Sequence, residues 1–182
     1  KVEFECEFLG SVNTLINPAK LKNLVYENPI NRNAGLDIHE NPIKNHQYLI
    51  TVDVARGLGN DYSAFIVVDI TNFPYNIVAK YRNNEIKPML FPSIIYDVAK
   101  GYNDAFLLVE VNDIGDQVAS IIHYDLEYDN LLMASMRGRA GQVVGTGFSG
   151  KKTQLGVRTT AAVKKLGCSN LKTLLEDDKI LV

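Results

Sequence analysis

Residues 48–71 read YLITVDVARGLGNDYSAFIVVDIT, and this stretch decides the fold. Tyr48–Ala55 and Tyr62–Thr71 are apolar runs rich in β-branched and aromatic residues, the composition of buried strands. Between them Arg56–Asp61 (RGLGND) combines two glycines with Asn and Asp, which is turn chemistry. So short a connection makes the two strands an antiparallel hairpin.

Working outward, Asn72-Phe73-Pro74 breaks the second strand and Asn76–Tyr81 (NIVAKY) reads as a third. Pro88–Tyr102 places Met89, Ile94, Ile95, Val98 and Ala99 at helical spacing. Ala105–Val111 (AFLLVEV) reads as a deeply buried fourth strand. Asp113 is positioned to N-cap a helix over Ile114–Tyr124 that turns Val118, Ile121 and Ile122 inward. The order β-β-β-α-β-α predicts a mixed sheet flanked by helices, the order of the ribonuclease H-like fold. Past Asn130, Leu131–Ala134 reads as a fifth strand and Gly138–Gly156 as a long loop or hairpin. Thr159–Leu166 and Asn170–Leu175 read as helices. Upstream, residues 1–45 carry Pro18, Pro29, Pro42, many Asn and one helical pattern around Ala19–Tyr26. They read as an extension or linker, with the compact domain at residues 46–182.

Two residues do not fit the strands that hold them. Asp53 lies among valines in TVDVA, and Glu110 in LLVEVN. Along the first strand Leu49, Thr51, Asp53 and Ala55 share one face, and Ile50, Val52 and Val54 the other. Carboxylates are depleted in strands and almost never fully buried unpaired. Each therefore needs a donor, a cation or a metal. If the two strands are neighbours, the carboxylates meet at strand ends, where open α/β sheets place ligands. Such a pair repels unless a divalent cation lies between, and all-oxygen donors suit Mg²⁺ or Mn²⁺. The plainer alternative is an Asp capping a turn and a Glu paired with Arg or Lys.

Composition sets limits. With 182 residues, 46% hydrophobic and 22% charged, the chain is ordinary globular material. No purely apolar run, Ala105–Val109 included, comes near the ~20 residues of a membrane helix. Cys6 and Cys168 make no disulfide framework, which favours a reducing cytoplasm. A net charge of −2 argues at first against a nucleic-acid partner. The distribution reverses that. Residues 97–129 hold 1 basic and 8 acidic side chains, whereas residues 130–175 hold 8 basic and none acidic. The second stretch is suited to phosphates.

YLITVDVARGLGNDYSAFIVVDI, FLLVEVNDIGDQVA and GTGFSGKKTQLGVRTTAAVKKLG together resemble the C-terminal nuclease domain of the large terminase subunit of T-even-like tailed bacteriophages. The resemblance runs over most of the chain from about residue 45. The opening FECEFLGS resembles the segment after that family's ATPase module. The resemblance implies a ribonuclease H-like fold and a metal-dependent site of three acids. Asp53 matches the first and Glu110 the second. The third belongs to a His-Asp-Asp-type segment on a C-terminal helix. No such segment occurs here, and Asp177 and Asp178 read as the entry to a strand, so the third acid is expected beyond Val182.

The expected function is a Mg²⁺/Mn²⁺-dependent endonuclease, with two ions in the complete site, that cuts concatemeric double-stranded DNA with little sequence specificity. Asp61 is either a group supporting the site or a plain turn residue. Arg137, Arg139, Lys151, Lys152 and Arg158 are candidates for tracking the DNA backbone. Gly145–Thr153 approaches a phosphate-loop pattern but has Lys152 where Ser or Thr is required. The resemblance further implies an ATPase module of the same protein, the portal and the small terminase subunit as partners. It implies action in the host cytoplasm at the prohead portal, and no membrane. The alternatives are a non-catalytic DNA-binding or motor-coupling module, or another ribonuclease H-like nuclease such as a resolvase.

Overall fold

In the computed structural model, which describes residues 14–24, 26–136, 142–146 and 153–182, the decisive stretch forms the expected hairpin. Strand β3 (Tyr48–Asp53) pairs antiparallel with β4 (Ser63–Asp69), from Tyr48 opposite Asp69 to Asp53 opposite Ala64. Strand β5 (Tyr75–Asn83) continues the meander beside β4. Helix α2 (Phe91–Gly101) then crosses over to β6 (Phe106–Val109), which lies parallel to β3. The mixed sheet expected from the element order is present.

Two strands fall within the segment read as an extension. Strands β1 (Asn31–Asn33) and β2 (Leu36–Ile38) form a hairpin whose second strand pairs antiparallel with β5. The sheet order is β1-β2-β5-β4-β3-β6, and β10 (Ile180–Leu181) pairs parallel with β5 at Tyr75 and Asn76. The expected helix near Ala19 is the single turn α1 (Pro18–Lys22), capped by the Asn17 side chain accepting from the Ala19 amide.

One face of the central strands is covered. Ile50, Val52, Phe65, Val67, Leu107 and Val109 point into a core closed by Phe91, Ile95 and Ala99 of α2. Helix α3 (Gly115–Ser120) adds Val118 and Ala119, and Ile122 follows in a π-helical turn, Ile121–Asp125. The rings of Phe65, Tyr81 and Phe91 stack with centroids 5.0–6.1 Å apart. Burying each such side chain contributes about 1.5–3 kcal/mol relative to exposure. The opposite face, with Leu49, Thr51, Ile66 and Leu108, stays half-buried or open.

Four local expectations are corrected. Met89 does not face the core: it is 60% exposed and its sulfur accepts from the Gln117 side chain. Asp113 does not cap α3, because its φ of +52° turns it away and its carboxylate is bound to Arg56. The two C-terminal helices are one, α4 (Ala161–Glu176), N-capped by Thr160. A single glycine, Gly167, costs a helix only about 1 kcal/mol and does not divide it. The fifth strand starts later than expected: Leu131 makes a lone bridge to Leu107, and β7 is Met133–Met136.

Strand β7 centres a second, three-stranded antiparallel sheet with β8 (Gln142–Gly145) and β9 (Thr153–Leu155), in the order β8-β7-β9. Within Gly138–Gly156, read as a long loop or hairpin, the described residues form β8 and β9, which pair with β7 on either side and not with each other.

Candidate active site

The register of β3 and β6 builds the site. Val52 is opposite Val109, so Asp53 and Glu110 leave the sheet side by side at the carboxyl ends of parallel neighbours. The Glu110 amide donates to the Val52 carbonyl at 2.9 Å, which extends the ladder to the acid itself. Because Val52 and Val109 are buried against the helices, alternation turns Asp53 and Glu110 to the open face. There they line a shallow cleft of about 360 Å³ floored by Thr51, Ala64, Ile66 and Leu108 and edged by Val157.

Glu110 is held from its other side as well. The Val157 amide donates to Val109 and the Val111 amide donates to Val157, both at 2.9 Å, so Val157 forms a parallel bridge with Glu110. Two glycines make this packing possible. A Cβ on Gly115 would stand 1.8 Å from the Glu110 carbonyl oxygen. One on Gly156, whose φ is +71°, would stand 2.2 Å from that of Val109. No side chain fits at either position without the backbone shifting at Glu110 or Val109.

The side chains around the acids divide into donors and like charges. Asn112 Nδ2 donates to Glu110 Oε1 at 3.0 Å and to the Thr159 carbonyl at 3.1 Å. Asp53 is open to solvent on one side, yet the cleft walls desolvate its carboxylate. That desolvation, and then the negative charges of Glu110 and Asp61, push its pKa above the usual Asp range. None of the ion pairs among the described residues involves Asp53 or Glu110. Mutually repelling oxygen donors with no ion-paired cation among the described residues are a donor set that fits a hard divalent ion. The two acids do not reach a group of three ligand-type side chains among the described residues.

The loops leaving the site are pinned. The Ser63 hydroxyl, fully buried, accepts from the Ala55 amide at 3.0 Å and donates to the Ala55 carbonyl at 3.2 Å. Arg56 and Asp113 pair through two hydrogen bonds of 2.8 and 2.6 Å. Asp61 ends the turn, exposed, and reaches Asp53 only through its charge.

Of the residues singled out from sequence, the structure brings Asp53, Glu110 and the charge of Asp61 together. It places exposed Arg158 directly after Val157, the bridge partner of Glu110. Arg137, Arg139, Lys151 and Lys152 lie outside the described residues, as does most of the phosphate-loop-like segment. Sequence reasoning missed Asn112, Ser63, Arg56 and the two glycines. Asn112 carried a usable signal: it lies two residues after Glu110 in a strand-like run, and i and i+2 share a face.

A mixed sheet with paired acids at the ends of its adjacent parallel strands defines a ribonuclease H-like domain with an acidic site. A family model described as the terminase RNaseH-like domain matches residues 50–182, and the chain belongs to that family. Solved structures agree on the fold. The large terminase nuclease from thermophilic phage G20c with bound cobalt superposes with a TM-score of 0.68 at 20% identity, covering 95% of this chain and 75% of that one. The form with bound magnesium has the same values. The large terminase nuclease domain of Thermus phage P74-26 gives 0.62 at 20% identity, covering 93% and 72%.

Proposed function

We propose that this domain is the endonuclease of a viral packaging terminase, hydrolysing phosphodiester bonds of double-stranded DNA with divalent ions held by Asp53 and Glu110. The observation that carries this reading is the pair of carboxylates at the ends of β3 and β6, facing an open cleft, in a chain of the terminase family. G20c large terminase nuclease structures with bound cobalt, magnesium and zinc support divalent-ion dependence. The oxygen-only donor set favours Mg²⁺ or Mn²⁺ here, with two ions in the complete site. When bound, such ions activate water and stabilise the leaving oxygen.

The chain's own residues supply placement. Asp53 and Glu110 provide ionised oxygens on a rigid sheet, and Asn112 orients one of them. Arg158, next to the Val157 bridge that flanks Glu110, contacts the DNA backbone, and Arg137, Arg139, Lys151 and Lys152 extend that contact. Phosphate contacts position DNA without reading bases, so cutting has little sequence preference. We take residues 46–182 as the body of the nuclease domain, with the β1–β2 hairpin completing its sheet, and the portal and small terminase subunit as its partners, at the prohead portal in the host cytoplasm.

Plasmid cleavage with Mg²⁺ or Mn²⁺ tests the reading. It compares this chain and a version extended past Val182, each with and without Asp53→Ala. Loss of cutting on substitution is expected. Undiminished cutting by Asp53→Ala in the extended version overturns the assignment. DNA binding without metal-dependent cutting in either version favours a motor-coupling module instead.

A further inference from the structure

The Asn112 side chain makes contacts that its position alone does not require. Its amide nitrogen lies between two acceptors, Glu110 Oε1 at 3.0 Å and the Thr159 carbonyl at 3.1 Å. Both neighbours lack protons to give, which fixes the amide's orientation: nitrogen toward them, oxygen away. Both N–H protons are thereby used. The oxygen, Oδ1, is left buried with no partner among the described residues.

The two acceptors belong to different parts of the chain. Glu110 ends β6, whereas Thr159 lies between the Val157 bridge and α4. One side chain thus joins a proposed ion-binding carboxylate to the segment carrying Arg158. A glutamate's terminal torsion is broad, so an untethered carboxylate samples many orientations. A charge-assisted hydrogen bond to one oxygen narrows them. Oε2 accepts no hydrogen bond among the described residues and remains for an ion.

We infer that Asn112 is a positioning residue. It pre-orients the Glu110 carboxylate for a divalent ion and ties that orientation to residues 157–159. The inference rests on the metal reading of Asp53 and Glu110. Partners that orient metal-binding carboxylates typically matter 10–100-fold in affinity.

The test is Mn²⁺ binding to the metal-free protein by isothermal titration calorimetry, with unfolding temperature recorded alongside. Asn112→Ala and Asn112→Ser are compared with the parent and with Glu110→Gln. A drop of about 10-fold or more in Mn²⁺ affinity in both Asn112 variants, with the fold retained by circular dichroism, is expected. Should Asn112→Ala fail to fold, Asn112→Ser, closer in polarity, carries the comparison. If Glu110→Gln weakens Mn²⁺ binding but the folded Asn112 variants bind as the parent does, the residue is merely structural and the inference is overturned. If Glu110→Gln itself leaves Mn²⁺ binding unchanged, the metal reading fails and the inference falls with it.

Discussion

Arg56 and Asp113 form a two-point ion pair that joins the loops leaving the two acid-bearing strands. Arg56 lies three residues past Asp53, and Asp113 three residues past Glu110. The pair therefore ties together the two segments that follow the acids. Both side chains are more than half exposed, so the contact is screened by salt. Arg56→Ala and Asp113→Ala should each lower the unfolding temperature slightly, and the double variant should lower it no further than either single one. In ~1 M salt, where the screening length is about 3 Å, that coupling should vanish. Thermal melts of the four proteins at two salt concentrations check this. Additive losses would show that the pair contributes nothing as a pair.

The raised pKa of Asp53 sets a pH dependence. Desolvation and the charges of Glu110 and Asp61 penalise its ionised form in the fold. The folded state therefore holds that proton more tightly than the unfolded chain. The associated stability is present at acid pH and is lost as pH rises through the folded value. Asp53→Asn should accordingly raise the unfolding temperature of the metal-free protein at pH 7, with the gain disappearing below the ordinary Asp range. Mn²⁺ binding should run the other way, weakening as pH falls and doing so above the pH at which a free Asp is protonated. Melts and titrations across pH 3–8, a range spanning the ordinary Asp pKa of ~3.9, measure both.

Gly115→Ala and Gly156→Ala should be among the most damaging small substitutions. Each new methyl would meet a backbone carbonyl, at 1.8 and 2.2 Å, and Gly156 adds a left-handed φ of +71°. Overpacking of this kind costs about 1–3 kcal/mol and occasionally more. Urea unfolding would read the loss. Because the carbonyls belong to Glu110 and Val109, metal affinity should fall with stability in both variants.

Ser63→Ala removes a buried hydroxyl that serves both the amide and the carbonyl of Ala55. Leaving such groups unsatisfied costs roughly 1–3 kcal/mol. Hydrogen exchange at Ala55 should accelerate in this variant well before exchange in β4 does.

Under the proposed function, Arg158→Ala should weaken DNA binding similarly across sequences. It should also reduce the slope of log affinity against log salt by about 1. A slope equal to the parent's would remove Arg158 from the DNA surface.

The hairpin and the two acids were legible because each departs sharply from its surroundings. RGLGND interrupts two apolar runs, and Asp53 and Glu110 interrupt valines. What stayed hidden depends on partners distant in the chain. Asp113 looks like a helix cap locally, but Arg56, far upstream, takes its carboxylate and the backbone turns left-handed. Asn112 takes its meaning from Thr159, which only the fold brings near. The β1–β2 hairpin, NRN and LDI, is too short and polar to announce itself, and it gains its place by pairing with β5.

Strand β6 ends the path of the large sheet, yet its outer edge is closed in two instalments. Leu131 bridges Leu107, and Val157 bridges Glu110. Both closing segments are made after β6. At synthesis rates of ~5–20 residues per second, the segment that flanks Glu110 follows it out of the ribosome by roughly 2–10 s. Until residues 130–132 close on Leu107, FLLV is an apolar strand with an open edge, the kind that recruits foreign strands, and its Val109 end stays open until Val157 arrives. The acid-bearing end of β6 is therefore sealed later than the rest of that strand in a nascent chain, and a ribosome stalled before residue 157 would display it unprotected.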